Sequence, residues 1–137
     1  MNKQYLLDTN ICVFLLRGKY EVNKAIAAVG SDNCHISELT VMELKYGAEV
    51  VYQRDGIDQR EGLNKLFSIV DVLPISSALE FAASEKARLR LNGTPIEDNF
   101  DLLIGSTAIV NDMVMVTENV KDFKNLNGIK LENWITR

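Results

Sequence analysis

Three acidic residues stand where an α/β protein would place catalytic groups. Asp8 directly follows the apolar run 5–7, Glu43 lies downstream of the apolar segment 34–36, and Asp101 begins the most apolar helical segment of the chain. Carboxylates that meet in one cleft repel each other and raise each other's pKa values. A divalent cation relieves that repulsion, and Mg2+ or Mn2+ suits a set of oxygen ligands. These residues therefore predict metal-assisted attack of water on a phosphodiester.

The few histidines and cysteines exclude much other enzyme chemistry. His35 is the only histidine, so a zinc site or a Ser-His-Asp triad has little to work with. Cys12 and Cys34 lie in different predicted elements and form no Cys-x-x-Cys pair, which argues against redox or zinc use. Carboxylates thus remain the main candidates for catalysis.

Each acidic residue also has a local structural explanation. Asp8 could simply cap the helix that follows it, which is a common role of aspartate. Glu43 could complete a capping box with Thr40. Asp101 could lie in a first helical turn because the helix dipole favours acids there, and Asp98 has the same explanation or is an N-cap. The residues taken singly leave both interpretations open.

The predicted elements bring these positions together. Predicted strands cover residues 5–7, 34–36, 69–73 and 114–117, with a short fifth strand over 129–131. Predicted helices cover residues 11–17, 21–29, 40–51, a segment through 63–67, 77–92 and a segment around 100–108. Apolar strands that alternate with helices indicate a parallel sheet with helices on both faces. Ligands bind beyond the carboxyl ends of such strands, so the acids and the segment 117–119 should meet at one edge of the sheet.

Two helices carry patterns that predict their orientation and their first residues. Thr40 with Glu43, and Ser77 with Glu80, fit the capping-box spacing. An apolar stripe on the helix 40–51 predicts its core-facing side, and Glu43 lies within it. A charge on a core-facing stripe is costly unless it is paired or bound to a metal, which favours a site role for Glu43. The stripe consists of Leu39, Met42, Tyr46, Gly47 and Val50.

Length and charge set further limits. A chain of 137 residues is one domain by size, so we predict a single domain over residues 1–137. The net charge of −4 counts against a nucleic-acid substrate, although bound cations can reverse the field around an acidic site. No signal peptide or membrane span is recognisable, so we predict a cytoplasmic protein without a membrane partner.

Four ordered segments resemble the PIN-domain family, and within it the VapC toxins of bacterial toxin-antitoxin pairs. The segments span nearly the whole chain in the order of the family, which makes the set much more specific than any one motif. They are Leu6-Leu7-Asp8-Thr9-Asn10, Ser37 to Gly47 with Glu43, Phe100 to Gly105 with Asp101, and Val116-Thr117-Glu118-Asn119 leading to Phe123 and Glu132-Asn133-Trp134.

The resemblance implies a PIN-like three-layer α/β/α fold with a central parallel sheet of four to five strands. It implies a Mg2+-dependent endoribonuclease, with Mn2+ as a substitute, in which Asp8 and Asp101 are metal ligands. Glu43 would complete the acidic site as a ligand or by orienting the water, and Asn10 and Thr117 would support it. Family substrates are structured RNAs, tRNA prominent among them.

The resemblance also implies a homodimer and a VapB-type antitoxin whose tail fills the active-site groove, with no organic cofactor. One position departs from the family pattern. Many PIN domains carry a fourth aspartate where Asn119 stands, so a second metal ion is in doubt, and Glu118 could substitute only if its side chain turned inward. A solvated strand end is the other interpretation of these two residues.

Basic residues near the acids could hold RNA in spite of the net negative charge. Lys86, Arg88 and Arg90 lie on one predicted helix and are candidates for phosphate contacts. A solvated charged surface explains each of them equally well.

Two other families place an aspartate after the first strand. Haloacid-dehalogenase-like phosphatases require a second aspartate two residues later, where this chain has Asn10, and receiver domains require one after strand three, where Pro74 follows Leu73. Both fail at a required residue. The remaining alternative is a catalytically silent PIN-like module that binds RNA or a partner.

Overall fold

The computed structural model describes residues 2–137 and has a five-stranded parallel sheet at its centre. The strand order is β3-β2-β1-β4-β5, and every neighbouring pair is parallel. The predicted fold class is therefore confirmed. The strands are β1 (Tyr5–Leu7), β2 (Cys34–Ser37), β3 (Asp71–Leu73), β4 (Val114–Val116) and β5 (Lys130–Glu132).

Helices cover both faces of the sheet. They are α1 (Thr9–Leu16), α2 (Val22–Val29), α3 (Glu38–Asp55), α4 (Arg60–Ile69), α5 (Leu79–Leu91), α6 (Asn99–Val110) and α7 (Val120–Phe123). The central strand β1 shows why two layers form: Tyr5 and Leu7 pack in the core beneath α1 to α4, whereas Leu6 packs in the core beneath α5 to α7. All three side chains are buried, as expected for a strand covered on both sides.

The carboxyl ends of the two central strands lie side by side. Leu7 pairs with Val116, and the backbone N–H of Asp8 donates to the Val116 carbonyl at 2.9 Å. The N–H of Thr117 in turn donates to the Glu132 carbonyl at 3.0 Å. The register therefore places Asp8 and Thr117 next to each other at one edge of the sheet, as the predicted topology requires.

Both predicted capping boxes are wrong. Helix α3 begins at Glu38, because the Ser37 hydroxyl at the end of β2 accepts a hydrogen bond from the Leu39 N–H at 3.1 Å. Thr40 lies inside the first turn and is fully buried. Helix α5 begins at Leu79 after a 3-10 turn at Ser76–Ala78, and no side chain of the described residues caps its first turn.

The apolar stripe predicted to face the core on α3 points largely to solvent. Met42 is 48% exposed, Tyr46 68% and Val50 39%. The buried residues of this helix are Thr40, Leu44 and Ala48 instead. Helix α3 carries apolar residues on two faces, so periodicity did not identify the side that packs on the sheet.

Two further differences concern short elements. Residues 69–73 were predicted as a strand, but Ile69 still belongs to α4, and β3 contains only Asp71–Leu73. Helix α7 was not predicted, because four residues are too few to show helical periodicity. Within residues 2–137, no helix has the length and apolar character needed to cross a bilayer.

Two glycine substitutions should change the stability in opposite directions, because Gly105 is closely packed and Gly47 is not. A Cβ atom on Gly105 of α6 would lie 2.6 Å from Leu126 Cδ1 and 3.2 Å from Phe123 Cδ1, whereas Gly47 of α3 has open space. We expect Gly105→Ala to lower the free energy of unfolding by about 1–2 kcal/mol through overpacking. Gly47→Ala should raise it by up to about 1 kcal/mol, because alanine favours the helix. Urea unfolding measures both values, and an equal gain in both variants would contradict this packing.

Candidate active site

Asp8 is a buried carboxylate that is held from two sides. It is 5% exposed, its Oδ1 accepts from the Thr9 N–H at 2.8 Å, and its Oδ2 accepts from the Thr117 hydroxyl at 2.8 Å. Burial raises the pKa of Asp8, and the hydrogen bonds from Thr117 and Thr9 oppose that rise. The helix-cap and active-site interpretations of Asp8 are thus compatible, because one oxygen caps α1 while the whole group stays at the sheet edge.

Glu43 is linked to the neighbourhood of Asp8 by a hydrogen bond from Thr9, the next residue in the chain. The Thr9 hydroxyl donates to Glu43 Oε1 at 2.6 Å and also lies 3.1 Å from the Thr40 hydroxyl. The negative charge of Glu43 contributes to the raised pKa of Asp8. The alternative role of Glu43 in a capping box is wrong, since Ser37 caps this helix.

Asp101 has the most perturbed carboxyl group at this edge of the sheet. Burial, followed by the negative charges of Asp98, Asp8, Asp122 and Glu43 in that order, raises the pKa of Asp101 to about 7. The N-cap interpretation of Asp98 is confirmed, because its Oδ1 accepts hydrogen bonds from the N–H groups of Phe100 and Asp101 at the start of α6. The structure therefore brings Asp8, Glu43 and Asp101 within electrostatic reach of one another.

Asp122 is a fourth acid that the sequence analysis missed. It lies on α7, and its charge contributes to the raised pKa values of both Asp8 and Asp101. The family pattern places a fourth acid directly after β4, at Asn119, whereas Asp122 comes three residues beyond Asn119. The signal in the sequence is an acidic residue in the first helical turn after the fourth strand.

Glu118 does not turn toward the acidic group. Its carboxylate pairs with the Arg137 guanidinium at 2.8 and 2.9 Å, so the structure does not show the inward turn that a role in the acidic site would require. The Glu118 N–H donates to Asn10 Oδ1 at 3.4 Å, and the Asn119 N–H donates to the Thr117 hydroxyl at 3.0 Å. Asn10, Thr117 and Asn119 thus brace the loop after β4.

The three basic residues of α5 have different surroundings. Arg88 makes two hydrogen bonds to the buried Glu85 and one to the Asn125 carbonyl at 2.9 Å, so it ties α5 to the segment after α7. Lys86 donates to Asn99 Oδ1 at 2.6 Å, at the first residue of α6. Arg90 is exposed on the same helix. Their contact with RNA stays a prediction.

Two depressions flank the acidic residues. The first, here called the polar cavity, measures about 350 Å3 and includes Asp98, Asp101, Lys121 and Asp122 in its lining. The second, here called the apolar groove, measures about 400 Å3 and runs between α1, α3 and α4. Its lining includes Thr9, Glu43, Val13, Leu44, Arg17 and Leu63. The acidic residues therefore lie between a polar site and an apolar one.

The oxygen donors fit a magnesium ion held by few protein ligands. Among residues 2–137, no three acidic, histidine or cysteine side chains are arranged to hold one metal ion together. Mg2+ characteristically keeps several waters and binds through one or two carboxylates. The charge of Asp8 itself raises the pKa of Asp101, and this mutual repulsion is what a cation between them would relieve.

Comparison with known proteins agrees with this architecture. The PIN domain family matches residues 5–129. The chain belongs to the PIN-domain family. Two curated PIN-domain relatives extend over almost the whole chain and are VapC proteins. Ribonuclease VapC2 of Rickettsia felis is 32% identical over 134 residues, which cover 95% of this chain and 97% of that protein. The tRNA(fMet)-specific endonuclease VapC of Salmonella typhimurium is 30% identical over 132 residues and covers 96% and 98%.

Solved structures give the same assignment within the PIN-domain family. The VapBC2 complex of Rickettsia felis, bound to a DNA fragment from its promoter, matches with a TM-score of 0.82 and 29% identity over 95% of this chain and 98% of that one. DNA-bound VapBC of Salmonella typhimurium matches with a TM-score of 0.81 and 30% identity over 96% and 98%. This PIN domain is therefore of the VapC type.

Proposed function

We propose that this protein is a Mg2+-dependent endoribonuclease, the toxin of a VapBC-type pair, and that it cleaves tRNA or another structured RNA in the cytoplasm. The observation that carries the proposal is the gathering of acidic side chains at one edge of the sheet, where Thr117 holds Asp8 and Thr9 holds Glu43, and where burial and four neighbouring acids raise the pKa of Asp101 to about 7. A protein gains nothing in stability from such repulsion, so strongly perturbed carboxylates in a cleft indicate a functional site. The ribonuclease and tRNA endonuclease names of the VapC relatives support the substrate class.

In this mechanism, Asp8 and Asp101 would hold the metal ion. When bound, Mg2+ would neutralise charge on the scissile phosphate and lower the pKa of water. Thr117 fixes the orientation of Asp8 through its hydroxyl, and Thr9 fixes that of Glu43. Glu43 accepts the proton of the attacking water as a general base, and Asp122 adds negative charge that favours cation binding.

The hydrogen bond from Thr117 predicts a selective effect on metal affinity. Thr117→Val keeps the shape of the side chain but removes the hydroxyl that holds Asp8. Groups that orient a metal ligand typically contribute 10- to 100-fold to metal affinity. We therefore expect the Mg2+ concentration for half-maximal cleavage to rise by about 10- to 100-fold. Thr117→Ser is the matched control and should stay near wild type, whereas equal behaviour of the two variants would contradict this role.

The apolar groove is the proposed binding site for part of a VapB-type antitoxin. The solved VapBC complexes of similar VapC proteins support a partner of this kind. The groove has Glu43 and Thr9 at its edge, so a segment lying in it would also cover the acidic site. Apolar side chains of the antitoxin segment would pack in the groove and supply binding energy, and its basic side chains would pair with the carboxylates of the acidic site.

The exposed stripe on α3 is the proposed contact between two copies of the chain. Met42, Tyr46 and Val50 are spaced by four residues, so they lie on one face of the helix, and all three are exposed. Large exposed apolar groups that adjoin one another commonly mark protein interfaces. Tyr46→Glu should convert a homodimer to a monomer in light scattering, and an unchanged mass would contradict this interface.

The alternative function is a silent PIN-like module that binds RNA or a partner without cutting. Expression without an antitoxin distinguishes the two functions in cells. The nuclease should arrest growth, and Asp8→Ala should relieve the arrest because it removes a metal ligand. Normal growth with the wild-type protein, or arrest that persists with Asp8→Ala at equal expression, would favour the silent module.

A further inference from the structure

The polar cavity beside Asp101 has the chemistry of a substrate subsite. Besides the acids Glu97, Asp98, Asp101 and Asp122, its lining includes the polar side chains of Thr94 and Asn125. Apolar side chains complete the lining: Leu89, Pro95, Ile96 and Leu126. A site of about 350 Å3 that is lined mainly by polar and charged groups, with some apolar surface beside them, has room for a small polar organic group such as a nucleotide.

Among the described residues 2–137, Lys121 is the only basic one that lines this cavity. Within residues 2–137 its ammonium group has no ion pair or side-chain hydrogen bond, whereas the guanidinium groups of Arg88 and Arg137 are both engaged with glutamates. Lys121 is exposed and adjoins Asp122 in the first turn of α7. Its charge is therefore available to a ligand in the cavity.

Electrostatics decide which part of an RNA strand Lys121 would contact. Glu97, Asp98, Asp101 and Asp122 all line the cavity and would repel a phosphate that entered without a cation. Lys121 supplies that cation at the wall formed by α7. Asp101 is assigned to the metal ion, but the carboxylates of Glu97, Asp98 and Asp122 accept hydrogen bonds, so they suit the base and sugar edges of a nucleotide better than its phosphate.

We propose that the polar cavity binds the RNA nucleotide next to the scissile phosphate, with Lys121 on the phosphate of that nucleotide. This inference rests on the proposed nuclease function and adds a binding residue to it. Lys121 is a substrate-binding group in this account and takes no part in proton transfer. A phosphate contact positions the strand without reading its sequence, so the effect of Lys121 should be the same for different RNAs.

The test compares Lys121→Gln with Lys124→Gln in steady-state cleavage of one RNA in Mg2+. Lys124 is exposed at the C-terminal end of the same helix, and it is not among the described residues that line the cavity. Each variant removes one positive charge, so the two change the net charge equally. We expect Lys121→Gln to raise KM about tenfold while kcat stays within about twofold of wild type. The slope of the logarithm of RNA affinity against the logarithm of salt concentration should fall by about one. Lys121→Arg should restore most of the affinity, and Lys124→Gln should behave like the wild-type protein.

Equal KM values for the two glutamine variants would overturn the subsite while the nuclease function stood. A drop in kcat at unchanged KM in Lys121→Gln would also overturn it, because that result would place Lys121 in the chemical step. Absence of Mg2+-dependent cleavage by the wild-type protein is visible before any variant is compared, and it would overturn the proposed function and the subsite together.

Discussion

Asp101→Asn should abolish RNA cleavage and at the same time stabilise the metal-free protein. The carboxylate is a proposed metal ligand, and metal ions supply several kcal/mol of transition-state stabilisation. Loss of about 4 kcal/mol corresponds to roughly a 10³-fold lower rate. Stability should change in the other direction. Burial and the neighbouring acids raise the pKa of the Asp101 carboxyl to about 7, and asparagine removes this unfavourable charge.

The sign of the stability effect follows from the raised pKa of Asp101. Above pH about 7 the group is ionised in the folded state and the repulsion is fully present. The penalty declines as the pH falls from about 7 toward the ordinary aspartate value of 3.8, and it is nearly absent at pH 4, where the folded protein is protonated at Asp101. Partial exposure of Asp101 screens the effect, so we expect a gain of about 1 kcal/mol at pH 8, or roughly 3 °C in Tm.

Thermal unfolding in EDTA at pH 8 and pH 4 measures this effect beside a cleavage assay. The gain in Tm should be present at pH 8 and nearly absent at pH 4. Added Mg2+ should raise the Tm of the wild-type protein but not that of Asp101→Asn, since binding to the folded state alone stabilises it. A variant that kept its cleavage rate, or that lost stability at pH 8, would contradict the role given to Asp101.

Magnesium affinity should fall steeply below neutral pH. In the metal-free site a proton occupies Asp101 below pH about 7, and a metal ion must displace it. The apparent Mg2+ affinity should therefore fall about tenfold for each pH unit below 7 and level off above pH 8. Calorimetric titration in buffers of different ionisation enthalpy should show about one proton released per metal ion at pH 6 and nearly none at pH 8.5.

Asp98→Asn provides the matched control for this pH dependence. Asparagine is as good an N-cap as aspartate, so helix α6 keeps its first turn. Removal of the Asp98 charge removes the largest charge contribution to the raised pKa of Asp101. The midpoint of the pH profile should consequently move to lower pH, and a midpoint that stayed in place, or a flat profile in the wild-type protein, would contradict the assignment.

Much of the site could be predicted because parallel strands share one carboxyl edge. Asp8 and Thr117 follow neighbouring central strands, and their hydrogen bond at 2.8 Å is the direct result of that register. Asp101 could be located because its helix is too apolar to lie anywhere but against the sheet. Glu43 was found for a partly wrong reason, since the stripe that contains it is largely exposed and Glu43 adjoins the site through Thr9.

The errors have a common physical cause, which is that local patterns do not reveal three-dimensional neighbours. Ser37 and Thr40 both offer a capping hydroxyl, and only the end of β2 determined that Ser37 caps α3. Glu118 is adjacent to the site in sequence, but its ion pair with Arg137 crosses 19 positions of the chain. Asp122 escaped notice because the short helix α7 has no periodic pattern.

The most direct test of metal-dependent RNA cleavage is incubation of the purified, antitoxin-free protein with total cellular RNA, in Mg2+ and in EDTA. We expect a few discrete fragments in Mg2+ and intact RNA in EDTA, and sequencing of the fragment ends would identify the target. Intact RNA in both conditions, with RNA still retained in a pulldown, would contradict the nuclease and identify a silent binding module.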